Sequence, residues 1–169
     1  FYEERKNVNI ILLLDATSSM DVYSESVYQA IKSGCEYFDG TKYKIKIGVM
    51  LYRDQADGDY ETEWLRPTDP NATGLLSFIQ TGGKYGYTSS KADKTNTESL
   101  FYGMMEALKR FKNPAHSNVL VVVGDCGNNP TDKRITKESL VSMIVEKDVN
   151  VVGFQVRNLD QTDWTLFNT

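Results

Sequence analysis

Along the chain, unbroken apolar runs alternate with stretches in which apolar residues recur every three or four positions. Residues 8–16, VNIILLLDA, are apolar at every position from Ile10 to Leu14, the pattern of a strand covered on both faces. Over 21–38, Tyr23, Val27, Ala30, Ile31, Gly34 and Phe38 fall at helical spacing. KIKIGVMLY, 44–52, alternates and then runs apolar, which predicts a second strand, and ETEWLRP, 61–67, predicts a short edge strand ended by Pro67. A short helix is expected over 72–80 and a longer one over 98–111, with Leu100, Met104, Leu108 and Phe111 on one face. NVLVVVGDC, 118–126, is a third apolar strand; residues 136–147 form a helix that Thr136 can cap, and 149–156 a last strand. Two polar segments interrupt this order: the turn RDQADGDYE, 53–61, and a Gly- and Ser-rich loop over 81–97, of a length that is usually functional or mobile.

Apolar strands alternating with amphipathic helices define an α/β fold: a doubly wound, mostly parallel sheet with one antiparallel edge strand and helices on both faces. Ligands of such sheets sit beyond the carboxyl ends of the strands. A chain of 169 residues that is 40% hydrophobic can build one core. The expectation is a single domain over 1–169, excised from a larger protein and truncated at its C-terminal end. With 19 basic against 23 acidic residues the net charge is -4, which disfavours nucleic acid or an anionic membrane surface as partner. The apolar runs are too short for direct membrane insertion.

The candidate chemistry lies where apolar strands end in aspartate, at Asp15 and Asp125. In a parallel sheet both project from one edge. Thr17, Ser18 and Ser19 follow the first, and Thr95 and Thr97 sit in the loop that enters a later helix. Two carboxylates and several hydroxyls, without sulfur or imidazole, suit a hard cation, Mg²⁺ or Mn²⁺, with Ca²⁺ as a further choice. Each piece alone has a plainer reading. Asp15 with its hydroxyls resembles a helix cap, Thr95 with Glu98 a capping box, and Asp125 before CGNN a turn former. Their coincidence at one edge is what distinguishes the site.

Other residues narrow the chemistry. Cys35, about 14 helical residues below that edge, lies roughly 20 Å from Cys126, too far for a disulfide; two free thiols are expected, Cys126 the more exposed. His116 precedes a strand, at the opposite edge from Ser19, which argues against a hydrolase triad. The acidic turn with Asp54, Asp57, Asp59 and Glu61 lacks calcium-loop spacing. It reads as a solvated loop or as a charged rim that selects partners. Tyr85 and Tyr87 read equally as contact residues or as loop aromatics packed on the body.

Asp15-x-Thr17-x-Ser19 after an apolar strand, Thr95 in TNTES before a helix, and Asp125 in VVVGDCG together resemble the von Willebrand factor A domain and its metal-ion-dependent adhesion site. The order of strands and helices matches that family over essentially the whole chain. The resemblance implies that Ser19, Thr17 and Thr95 touch a cation directly and that Asp15 and Asp125 act mainly through water. It implies further that a protein partner supplies an acidic residue to the open coordination position. Thr17 stands where the family more often has Ser and keeps the hydroxyl. A looser resemblance, to the A-domain-bearing accessory subunit of Bacteroidetes type VI secretion systems, implies a periplasmic or cell-envelope assembly. A haloacid-dehalogenase-like, Mg²⁺-dependent phosphatase is the rival, but it needs a second Asp as general acid where this chain has Thr17. The expectation is therefore a non-enzymatic interaction module, with a metal-independent scaffold as the further alternative. Asp15→Ala, taken as loss of an exposed edge group, is expected to abolish cation binding and spare the fold.

Overall fold

The computed structural model describes residues 6–88 and 98–156. Five strands, β1 (Asn7–Asp15), β2 (Lys44–Tyr52), β3 (Thr62–Thr68), β4 (Ser117–Gly124) and β5 (Val149–Gln155), form one sheet in the order β3-β2-β1-β4-β5. Only β3 runs antiparallel to its neighbour, so the mostly parallel sheet with one antiparallel edge strand is as the alternating pattern predicts. Strand β3 passes through Pro67 and ends at Thr68. Proline lacks the N–H of an inner ladder but is accommodated on an edge.

Among the described residues the α-helices are α1 (Ser24–Tyr37), α2 (Thr73–Thr81), α3 (Leu100–Leu108) and α4 (Lys137–Glu146). Helices α3 and α4 cover one face, where Leu100, Met104, Leu108 and Phe111 pack on Ile11, Leu13, Met50 and Leu120. Helices α1 and α2 cover the other, where Val27, Tyr28, Leu75 and Ile79 pack on Leu12, Leu14, Val49 and Leu51. Leu12 to Leu14 have no exposed surface, because helices on both faces leave no wet side to the central strand.

Local chemistry sets the helix ends. Thr136 Oγ1 accepts from Ser139 N at 3.2 Å, capping α4 as expected. The predicted helix over 21–38 begins as a 3₁₀ turn, Ser18–Tyr23, before α1. Helix α3 starts two residues later than 98 and has no cap of its own. The side chain of Asn128, from the loop after β4, accepts from Phe101 N at 2.8 Å. Glu98 instead runs extended beside that loop, donating from its N to Gly127 O and accepting from Asn129 N. Competition from this long-range pairing displaces the helix start.

Candidate cation and partner site

Register brings the site together. Asp15 pairs with Tyr52, Leu14 pairs with Val123, and Gly124 and Asp125 follow at the same level. The carboxyl edge therefore carries Asp15 and Asp125 side by side, as expected. Asp15 is not an exposed edge group, however. Both aspartates have no exposed surface, because the loops after β1, β2 and β4 fold over the strand ends. A side chain at position 124 is excluded: a Cβ on Gly124 would run into the Tyr52 hydroxyl and lie 3.2 Å from Asp15 Cβ. Glycine here lets β4 approach closely enough to bring the two acids together.

The first loop assembles its donors locally. Asp15 Oδ1 accepts from Thr17 N at 2.9 Å and from Thr17 Oγ1 at 2.7 Å, and Thr17 Oγ1 lies 3.2 Å from Ser19 Oγ. With its proton on Asp15, the Thr17 hydroxyl keeps a lone pair for another partner. The methyl that distinguishes it from Ser leaves this arrangement intact. On the facing strand Asp125 Oδ1 accepts from Cys126 Sγ at 3.0 Å. The Cys126 thiol is buried rather than exposed, whereas Cys35 is half-buried; neither is in a disulfide. That reverses the expected order of exposure, since the loop after β4 turns inward onto α3 and takes Cys126 with it.

One oxygen of each aspartate is thus held by its own loop. The other, Oδ2 in both, is buried with no hydrogen-bond partner among the described residues, and so are Glu98 Oε2 and the Tyr52 hydroxyl. Buried carboxylate oxygens without donors are costly. Burial, and then the nearby Asp125 carboxyl, raise the Asp15 pKa against the lowering effect of its Thr17 hydrogen bonds. Glu98 is pushed up to about 9, first by burial and then by the charges of Asp15, Asp54, Asp57 and Asp125. The same burial and negative surroundings hold the Tyr52 phenol and the Cys126 thiol protonated.

Nearby cations are already engaged elsewhere. Arg134 binds Glu61 and Asp132, and Arg53 binds Glu63; among the described residues no basic group pairs with Asp15, Asp125 or Glu98. The site therefore gathers uncompensated negative charge around oxygen atoms that lack donors, which is what a hard divalent cation would relieve. Among the described residues no three His, Cys, Asp or Glu side chains form a metal cage by themselves, so hydroxyls must complete any donor set. Thr95, the remaining predicted donor, lies outside the described residues.

Sequence reasoning missed Glu98, read there as a capping-box partner, and Tyr52, read as the last residue of a strand. The signal for Glu98 was its place before Leu100, where the apolar stripe of α3 begins. The acidic turn is a built element: Asp54 Oδ1 accepts from Ala56 N at 2.8 Å and Asp57 Oδ2 from Asp54 N at 3.1 Å. Its charges reach Glu98, so it borders the site. The two loop tyrosines divide their roles. The Tyr87 hydroxyl donates to Ile79 O at 2.6 Å, whereas the Tyr85 ring lies 4.1 Å from that of Tyr60. His116, at the far end of the sheet, contacts Asn9 and Asn113 and takes no part.

A doubly wound sheet with an aspartate-and-hydroxyl loop after its first strand and a second aspartate after its fourth defines the von Willebrand factor A class of protein-interaction domain. More narrowly, the sequence model for the VWA domain of TssR protein matches residues 1–167, and the chain belongs to that family. No curated protein sequence matches the chain. Among solved structures, the pilus adhesin SpaC from Lactobacillus rhamnosus GG is similar in its open conformation, with a TM-score of 0.54 at 11% identity over 75% of this chain. A second form of that adhesin gives 0.54 at 12% identity over 73%. The chain spans only 15% and 16% of those adhesin chains, so the likeness is one of fold.

Proposed function

We propose that this domain docks an acidic protein partner through a divalent cation, Mg²⁺ or Mn²⁺, held at the carboxyl edge, as part of a larger cell-envelope secretion assembly. The observation that carries the reading is the pair of buried, donorless Oδ2 atoms of Asp15 and Asp125, two carboxyls near enough to act on one another. Asp15, Thr17, Ser19 and Asp125 would hold the cation, and the family resemblance adds Thr95. When bound, the cation supplies an electrophilic centre for a partner's carboxylate. Asp15 fixes the Thr17 hydroxyl, and Cys126 fixes Asp125, so that neither donor has to reorganise on binding. The adhesin likeness and the TssR family both fit a docking role. We read the site as non-enzymatic, because Thr17, which stands where a phosphatase would place its general acid, spends its proton on Asp15.

Calorimetric titration of Mg²⁺ and Mn²⁺ into the metal-free protein, beside Asp15→Ala, tests this. Saturable binding that is lost in the variant is expected. A wild-type protein that takes up neither cation would overturn the reading in favour of metal-independent docking.

A further inference from the structure

Arg53, the first residue after β2, has no exposed surface, and its partner Glu63 on β3 is about one-tenth exposed. Its guanidinium gathers three stretches of chain. One nitrogen, Nη1, donates to Tyr60 O at 2.8 Å. The other, Nη2, donates to Glu63 Oε1 at 2.7 Å, Gly82 O at 2.8 Å and Gly86 O at 2.9 Å. The second oxygen of Glu63 accepts from Lys84 N at 2.8 Å. The loop 82–88 is thereby wound around one buried ion pair. Two glycines permit it: Gly82 ends α2 in the left-handed region, and a Cβ on Gly83 would lie 2.6 Å from the Glu63 carboxylate.

The far end of the same loop lies against the first cation loop. Thr88 O accepts from Ser18 N at 2.9 Å, and Thr88 N donates to Ala16 O at 3.1 Å, so Thr17 is bracketed by backbone pairing on both sides. The main chain of Arg53 meanwhile accepts from Ser99 N at 3.0 Å, next to Glu98. One residue thus supports both the loop after β1 and the segment that carries Glu98.

We infer that Arg53 and Glu63 are positioning residues, a buried clamp that holds residues 16–18 in cation-binding geometry through the loop 82–88. The link to affinity rests on the proposed cation site; the link to loop geometry does not. A buried Arg–carboxylate pair is a costly way to anchor a loop compared with apolar packing. What it provides is direction, because several carbonyls are fixed at once by one planar group.

The test uses Glu63→Gln and Arg53→Lys, each compared with wild type by amide hydrogen exchange and by Mn²⁺ titration. Glu63→Gln keeps side-chain shape, so it decides the matter should Arg53→Lys fail to fold. In the metal-free protein the Ser18 and Thr88 amides should exchange at least about tenfold faster, while the Leu12 and Val122 amides in the sheet interior stay unchanged. Mn²⁺ should bind about tenfold more weakly. Unchanged exchange at Ser18 and Thr88 would overturn the clamp, as would a uniform loss of protection that includes Leu12 and Val122. If wild type binds no Mn²⁺, the proposed function falls, and the exchange measurement still decides the clamp.

Discussion

The two ends of the sheet handle buried polarity in opposite ways. At the amino end, Asn9 Nδ2 meets His116 Nδ1 at 2.7 Å, Asn113 Nδ2 meets His116 Nε2 at 3.0 Å, and Asn118 donates to Asn113 O at 3.1 Å. Only one neutral atom there, Asn118 Oδ1, lacks a partner among the described residues. At the carboxyl end three acids crowd together, each with an oxygen that no described donor reaches. The first arrangement gathers no acids and leaves a single amide oxygen unpaired. The second is a concentration of buried acids, stable only if protons or a cation reduce its charge. Function is expected at the end that the fold leaves electrostatically unfinished.

The broadest way to sharpen that contrast is pH. Glu98 is held up to about 9 from its ordinary 4.5 by burial first and neighbouring acids second, and Asp15 is raised as well. A carboxyl whose folded pKa exceeds its unfolded one binds more protons when folded. Its stabilising contribution is therefore whole below 4.5 and drains away as pH climbs through about 9. After burial, the charges that act most on Glu98 are those of Asp15, Asp54, Asp57 and Asp125, all acidic. Metal-free protein should lose on the order of 2–3 kcal/mol, roughly 5–10 °C in Tm, between pH 5 and pH 9. Millimolar Mg²⁺ should restore most of it at the alkaline end and little at the acid end. Thermal unfolding by circular dichroism with and without Mg²⁺ checks this, and a flat profile in the metal-free protein would contradict the charge account.

Asp125→Asn breaks the contrast more locally. Its amide would replace a donorless oxygen with a donor beside Asp15 Oδ2 and remove one of the charges acting on Asp15 and Glu98. Metal-free stability at pH 8 should rise by about 1 kcal/mol, the scale of one pKa unit, while the stabilisation by Mg²⁺ disappears. A rise without loss of the Mg²⁺ effect would place the cation elsewhere.

How far this division was legible in the sequence differs by residue. The apolar runs ending in Asp15 and Asp125 expose both strand order and the paired acids, because burial on both faces and the parallel register are properties of the pattern itself. Glu98, Tyr52 and Arg53 were not legible, because their roles depend on distant partners. Arg53 looks like the first residue of a polar turn until Glu63, Gly82 and Gly86, far along the chain, close around it. Cys126 was misjudged for the same reason: its burial comes from the loop after β4 pairing with Glu98, which no local pattern records. Long-range pairing also moved the start of α3 from 98 to Leu100.

The smallest expected effect is at the amino end, where His116→Ala removes the hydrogen bonds to Asn9 and Asn113. These lie partly in reach of water, so their loss should cost about 0.5–1.5 kcal/mol in urea unfolding, with the slope unchanged. The proposed cation site lies at the other end of β1 from His116, so Mg²⁺ should stabilise the variant as much as it does wild type. A changed Mg²⁺ response in His116→Ala would mean that the two ends are coupled through the sheet, and the amino end could no longer be treated as an independent polar network.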